Sequence, residues 1–340
     1  MSTPEIQRQV FDQVKAQITH RKWIEEIAEV LGRSKNSIYK KVTGEVGLSL
    51  DELVILANEY KIHLDPILLD NQAVTFNFPF LGEETALGKN YFRALAQLAE
   101  QFKAIPDMQV WVSQMEIPFM HDYHFPAITA FKFFVHEKTI WRTDRKSIPG
   151  FHIEKAVSQP GFRETLAELL HTYYRIPSVE FWHSLILDST LAQIKYVMEI
   201  GAFEDPLDAL VLCEQLTEFV NHMQYMADLG YKVPLNSYPN EEYAGFVLYH
   251  NEVAYSNNII MLDSPSRQAV FLSFGNPNFM FSSGKSVVDY SKRWFELLKE
   301  NAQLITRESR KSRLAFFNAL RKKIDQVMLE MNTLIKLQKL

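Results

Sequence analysis

Two histidines three residues apart, His121 and His124, have the type and spacing of metal ligands. Imidazole is the commonest protein ligand of transition metals, and Asp122 between them adds a carboxylate. The neighbouring residues are largely aromatic, among them Phe119 and Tyr123. This composition favours a packed aromatic loop over a metal site. We therefore expect no bound metal and no other cofactor.

Two further patterns bear on phosphate chemistry. His136, Lys138 and Asp144 resemble the phospholipase-D signature, in which a histidine nucleophile and a lysine hold a phosphate. That signature has a shorter spacing between its lysine and aspartate than the five residues found here, and no second copy is present. The run Ser283–Ser286 resembles the end of a phosphate-binding P-loop, but Phe279 occupies the position of its first glycine. Neither pattern supports catalysis, and we expect the protein not to be an enzyme.

A third set of polar residues has the side chains that read DNA. Asn36 is suited to a bidentate contact with adenine, and Lys35 or Arg33 to one with guanine, each worth about 1–3 kcal/mol of discrimination. The first predicted set would face base edges or flanking phosphates: Arg33, Ser34, Lys35, Asn36, Ser37 and Tyr39. The second set would hold the DNA backbone: Lys40, Lys41, Arg21 and Lys22. Backbone contacts position a protein on DNA without specifying sequence.

Two short helices are predicted to carry these residues. Four apolar residues of the first are spaced three and four apart and share one helical face: Ile24, Ile27, Ala28 and Leu31. Gly32 ends this helix, because glycine adopts a left-handed C-terminal conformation without steric cost. Ser34 is an N-cap residue for the second helix, which continues to Gly44. Ala28 lets the helices approach and Ile38 packs the second on the first, the pattern of a helix-turn-helix whose second helix enters the major groove.

A further predicted helix begins with a capping box made by Ser49 and Glu52. The motifs SIYKKVTGE at residues 37–45 and LSLDEL at residues 48–53 resemble the phage-repressor (Cro/C1-type) helix-turn-helix family, especially its bacterial regulators. The resemblance covers about one fifth of the chain and implies sequence-specific DNA binding. One departure is Lys41, which occupies a position near the end of the recognition helix that is usually apolar.

The composition is that of a folded globular protein. The chain has 340 residues, 47% of them hydrophobic and 23% charged, and its net charge is -5, so a DNA-binding surface must concentrate basic residues locally. Cys213 is the sole cysteine, which excludes a disulfide within the chain. The polar start of the sequence and the lack of a long apolar run predict no signal peptide and no membrane span. We expect a cytoplasmic protein, associated with the nucleoid when it is bound to DNA.

We predict two domains, residues 1–72 and 73–340. The fold class expected is mainly α with an α+β carboxy-terminal region: an all-α helix-turn-helix domain is followed by a larger helical domain with a short antiparallel sheet. Helices are predicted over residues 84–103, 125–141, 160–174, most of 178–230 and 286–340, and strands over 108–113 and in an antiparallel meander at 243–281. The last helix has a heptad-like seam from Phe317 to Leu334, which suits either a short coiled coil or packing on its own domain.

The predicted function is that of a DNA-binding transcriptional regulator. We expect a homodimer on double-stranded DNA, because two half-sites multiply the limited affinity of one small domain. The larger domain would dimerise, sense a signal or do both, and its aromatic residues could line a pocket for a small-molecule effector. Two alternatives are a protein-interaction adaptor, antitoxin-like or phage-derived, and a phosphodiester hydrolase targeted by the helix-turn-helix.

Overall fold

The structure, a computed structural model, describes residues 2–18, 22–60, 62, 64, 67, 74–77, 105–139, 150–252, 258–274 and 278–338. The chain divides into two compact units, Met1–Phe76 and Asn77–Leu340. The sequence places its domain boundary at residues 72 and 73, which lie outside the described residues, as does the helix predicted over 84–103. Each unit is described by itself below.

Four helices of the first unit are described: α1 (Thr3–Gln17), α2 (Trp23–Val30), α3 (Lys35–Val42) and α4 (Leu50–Glu59). Their bounds follow the predicted caps and apolar spacing. Ser34 accepts a hydrogen bond from the amide of Ser37 at the start of α3, and Ser49 and Glu52 form the predicted capping box of α4. Ile27 and Ile38 are fully buried at the centre of the core that these helices share.

The second unit contains one mixed β-sheet. Its described strands are β1 (Gln109–Gln114), β2 (Ser178–Trp182), β3 (Phe246–His250), β4 (Ile259–Asp263), β5 (Gln268–Ser273), β6 (Phe279–Ser282) and β7 (Gln303–Leu304). Their order is β6-β5-β4-β1-β2-β3-β7. Strands β1, β2 and β3 run parallel, and the other neighbours are antiparallel. The predicted fold class is therefore wrong, since the sheet has seven strands and is neither short nor purely antiparallel.

The error has a physical cause in β2. All five residues of Ser178–Trp182 are buried, because both faces of this central strand are covered. A parallel strand buried on both faces does not show the alternation of apolar and polar residues that marks a half-exposed strand. The sequence therefore assigned this segment to a mostly helical region. It also placed Phe246–His250 in an antiparallel meander, whereas β3 pairs in parallel with β2; the hairpins β4–β5 and β5–β6 are antiparallel as predicted.

Helices cover both faces of this sheet. They are α5 (Phe119–Asp122), α6 (Pro126–Thr139), α7 (Ile153–Val157), α8 (Phe162–Tyr173), α9 (Asp188–Glu199), α10 (Asp208–Leu229), α11 (Lys285–Asn301) and α12 (Arg310–Gln338). The largest core lies where α6, α9, α10 and α12 pack on the face that carries Trp182 and Phe246. Phe295 of α11 packs on the opposite face, against Phe181. The predicted strand at 108–113 and the helices at 125–141 and 160–174 agree with β1, α6 and α8.

The heptad-like seam of α12 faces its own domain. Phe317, Leu320, Ile324 and Met331 are fully buried in the largest core, together with Met223 of α10. The coiled-coil alternative is therefore set aside, because these side chains already pack within the chain. None of the described helices combines the length and apolar character that crossing a membrane requires.

Candidate nucleic-acid interface

Helices α2 and α3 form a compact pair joined by residues 31–34. Ile24, Ile27 and Ala28 of α2 are buried, as the sequence predicts. The chain turns at Gly32, whose φ of 60° lies in the left-handed region that favours glycine. The amide of Arg33 then donates a hydrogen bond to the carbonyl of Ala28 at 2.9 Å, which closes the end of α2. This turn fixes where α3 begins.

The face of α3 opposite its core carries most of the predicted DNA-contacting side chains. Ile38 is fully buried, whereas Tyr39 one position later is 56% exposed. The other exposed members of the predicted set are Arg33, Ser34, Lys35, Asn36 and Lys40, and Ser37 is half-buried. No acidic residue lies in the first turn of α3, so no side-chain carboxylate there offsets the partial positive charge of its amino-terminal end.

Two of the exposed cations are already paired with carboxylates. Lys35 Nζ lies 2.6 Å from Glu25 Oε1, and Arg33 Nε lies 3.1 Å from Glu52 Oε1. The hydrogen bond from Lys35, assisted by its charge, lowers the pKa of Glu25. Lys22 is also exposed, and its Nζ lies 4.0 Å from Glu25 Oε2. Binding DNA through Lys35 therefore requires an exchange of this carboxylate for a phosphate or a base.

Lys41 does not belong to the exposed surface. Its side chain is buried, and its ammonium donates hydrogen bonds to Glu52 Oε2 at 2.8 Å and to the carbonyl of Gly47 at 2.9 Å. The sequence placed Lys41 on the DNA backbone; the structure gives it an internal role, and we remove it from the predicted contact set. Arg21, another predicted backbone contact, lies outside the described residues.

The second unit holds a buried polar network that the sequence did not predict. Its centre is Glu180, in the middle of β2. The carboxylate of Glu180 accepts hydrogen bonds from His121 Nε2 at 2.8 Å, Trp182 Nε1 at 2.9 Å and Ser178 Oγ at 2.9 Å. Burial raises the pKa of Glu180, but His121, Lys232 and Ser178 together outweigh it, and the net shift is downward. Glu180 is therefore a buried carboxylate.

Tyr173 and Lys232 extend this network. The Tyr173 hydroxyl lies 3.1 Å from His121 Nδ1, and the Lys232 ammonium lies 3.9 Å from the centre of the Tyr173 ring. Lys232 also donates to the carbonyl of Ile176 at 2.6 Å. Burial lowers the pKa of Lys232 to about 7, despite the opposing charge of Glu180. Burial raises the pKa of Tyr173, so its hydroxyl keeps its proton and is a poor nucleophile.

Two more histidines lie beside His121. The rings of His124 and His222 are 5.1 Å apart between centroids, and the Nε2 atom of each is buried without a hydrogen-bond partner among the described residues. Burial lowers the pKa of His222 to about 4 and that of His124 well below its ordinary value, so both rings are neutral. Among the described residues, no group of three or more His, Cys, Asp or Glu side chains is arranged so that it could hold a metal ion.

The sequence singled out His121 and His124 but missed their partners. Glu180, Tyr173 and His222 come from distant parts of the chain and meet only in the fold. One local signal was available, because a charged residue between the apolar Val179 and Phe181–Trp182 is unusual in a buried strand.

The remaining candidates have other surroundings. Burial lowers the pKa of His136 to about 4, and the Lys138 ammonium lies over the ring of Phe134 at 4.6 Å. Their predicted partner Asp144 lies outside the described residues. The run Ser283–Ser286 forms the turn into α11, with Gly284 as its N-cap residue. The effector pocket stays a prediction.

Comparison with known proteins identifies no relative: no family model matches the chain, and neither a curated protein nor a solved structure matches it.

Proposed function

We propose that this protein is a sequence-specific DNA-binding transcriptional regulator that reads DNA with α3. The observation that carries the proposal is the division of this short helix into two faces. Ile38 is fully buried, whereas Lys35, Asn36 and Tyr39 are exposed near the amino-terminal end. A helix that enters the major groove contacts base edges with residues in this part. The motifs shared with the Cro/C1-type family support the same role.

The exposed residues supply the chemistry of base recognition. Asn36 pairs with adenine, and Lys35 or Arg33 pairs with guanine, while Lys22 and Lys40 contact phosphates. The protein acts as a homodimer, because one small domain covers too few base pairs for tight binding. The second unit dimerises, senses an effector or does both. The protein works in the cytoplasm, on the nucleoid when DNA is bound.

Selection of bound sequences from a pool of random DNA duplexes tests the proposal. The wild-type protein is expected to enrich one motif with two half-sites about one helical turn apart. The variant Lys35→Ala, Asn36→Ala is expected to enrich none, since each lost base contact removes about 1–3 kcal/mol of discrimination. The matched control changes the same residue types on α11, Lys299→Ala with Asn301→Ala, where both residues are exposed.

The wild type, the α3 variant and the α11 control together decide the outcome. A motif that the wild type and the α11 control enrich, and the α3 variant does not, supports the proposal. Enrichment of no sequence by the wild type contradicts it and favours the adaptor alternative. Equal enrichment by the α3 variant contradicts the assignment of base reading to Lys35 and Asn36.

A further inference from the structure

A single carboxylate contacts the residues at both ends of α3. Glu52 lies in the first turn of α4. Its Oε1 accepts a hydrogen bond from Arg33, the residue before the N-cap of α3, at 3.1 Å. Its Oε2 accepts one from Lys41, in the last turn of α3, at 2.8 Å. Glu52 therefore ties the beginning and the end of α3 to α4.

The contact with Lys41 is shielded from solvent. The side chains of Lys41 and Glu52 are 8% and 6% exposed, and the amide of Ser49 adds a hydrogen bond to Glu52 Oε2 at 2.9 Å. Burial raises the pKa of Glu52, but Lys41, Ser49 and Arg33 outweigh it and hold the value at about 2. Glu52 is thus charged at neutral pH. A buried charge-assisted contact of this kind is stronger than the same contact in water.

The contact with Arg33 reaches the surface. The Arg33 side chain is 56% exposed, whereas its Nε is bound to the buried carboxylate. A guanidinium held through Nε can still donate two parallel hydrogen bonds from its terminal nitrogens, the geometry that guanine accepts. Glu52 therefore restricts the orientation of a side chain at the DNA-facing end of α3.

Other contacts besides those of Glu52 also hold α3 in the first unit. Ile38 is fully buried in the core of the first unit. Gln7 of α1 donates to the carbonyls of Lys41 and Val46 and accepts from the amide of Leu48 at 2.8 Å. Docking of α3 and its fine orientation thus depend on different residues, and the two can be separated by substitution.

We infer that Glu52 is a positioning residue that sets the sequence specificity of DNA binding without touching DNA, by holding Arg33 and Lys41 at the two ends of α3. The inference rests on the proposed function. Specific binding depends on base contacts that require one orientation of α3, whereas non-specific binding depends on phosphate charge. Loss of Glu52 lowers the ratio of specific to non-specific affinity and leaves non-specific affinity unchanged or slightly higher, because one negative charge is removed.

The experiment compares two duplexes of equal length at one salt concentration: the sequence that the wild type selects from a random pool, and a scrambled version of it. The first variant is Glu52→Gln, which keeps the shape of the side chain. The second is Lys41→Met with Glu52→Leu, which removes both buried charges together and so avoids leaving one unpaired. The control is Asp51→Asn, an exposed neighbour with the same change of charge.

The dissociation constant for the scrambled duplex divided by that for the selected duplex measures specificity. This ratio is expected to fall about tenfold in both Glu52 variants, the size of one lost base contact. It is expected to stay within about twofold of the wild-type value for Asp51→Asn. A fall in affinity for both duplexes together, as unfolding causes, overturns the inference. So does a double variant that keeps the wild-type ratio. If the wild type selects no sequence, the proposed function itself fails. If the wild type selects a sequence and the double variant keeps the same ratio, only the inference about Glu52 fails.

Discussion

His121 Nε2 lies 2.8 Å from a carboxylate oxygen of Glu180, and both side chains are almost completely removed from solvent. The contact joins α5 to β2, the middle one of the three parallel strands. A buried carboxylate is strongly disfavoured unless charged or hydrogen-bonding partners compensate for its lost hydration. The histidine is therefore part of what allows Glu180 to occupy the middle of a sheet core.

Replacement of His121 by phenylalanine is expected to destabilise the protein. The variant keeps an aromatic ring but leaves Glu180 without its closest partner, and removing one member of a buried pair costs about 3–5 kcal/mol. Unfolding by urea measures the change. The double variant His121→Phe, Glu180→Leu should recover part of the loss, since no buried carboxylate remains. A single variant as stable as the wild type would show that Glu180 does not depend on His121.

Stability is expected to fall as the pH decreases from about 6.5 towards 4. His124 and His222 have lowered pKa values in the folded protein, and burial lowers that of His222 to about 4. Over this range the unfolded chain binds protons that the folded chain excludes, so the free energy of unfolding decreases with decreasing pH. His222 accounts for at most roughly 3 kcal/mol of the decrease in the free energy of unfolding when the pH reaches 4.

The variant His222→Leu is expected to reduce this pH dependence. Urea unfolding at pH 7 and at pH 4.5 gives the slope for each protein. His171, an exposed histidine of α8, supplies the control as His171→Leu. Equal slopes in the wild type and in His222→Leu would mean that His222 does not contribute.

The sequence predicted those elements whose signals are local. Spacing of apolar residues and the N-caps Ser34 and Ser49 suffice for α2, α3 and α4, because an amphipathic helix carries its own period of 3.6 residues. Strand β2 has no such period, since it is buried on both faces. Its parallel pairing with β1 and β3 depends on contacts between segments far apart in the chain, which no local pattern encodes.

The candidate sites show the same limit. The capping box identified Glu52 as a local partner of Ser49, and the structure contains that contact. The contacts of Glu52 with Lys41 and Arg33 exist because α3 and α4 lie side by side, so its second role could not be predicted from spacing. For the same reason Lys41, a basic residue in a basic segment, was placed on the surface when it is buried.

Truncation of the α12 seam is expected to weaken the fold of a single chain. Ile324 is fully buried against α10, and Ile324→Ala should lower the free energy of unfolding by about 2–5 kcal/mol. Leu329 on the same helix is 70% exposed, and Leu329→Ala should change it by less than about 0.5 kcal/mol. Urea unfolding at two protein concentrations measures both. An effect of Ile324→Ala that grows on dilution would instead place the seam between two chains.

Removal of the carboxylate at Glu25 is expected to strengthen DNA binding. Glu25 lies 2.6 Å from Lys35 and 4.0 Å from Lys22, two cations of the proposed contact surface. Glu25→Gln removes the ion pair with Lys35 and a negative charge that would approach phosphate. Affinity for the duplex selected by the wild type should rise by up to about fivefold, the size expected for an exposed ion pair screened by solvent.

The control for this change is Glu29→Gln, on the next turn of α2, where the residue is also exposed. It removes the same charge at a greater separation along the helix from Lys22, so its effect should be smaller. Both increases should shrink as salt is added, because the interaction of exposed charges is screened. Titration of labelled duplex at two salt concentrations measures them. A weaker complex with Glu25→Gln would indicate that Glu25 orients Lys35 for binding and does not compete with DNA for its ammonium.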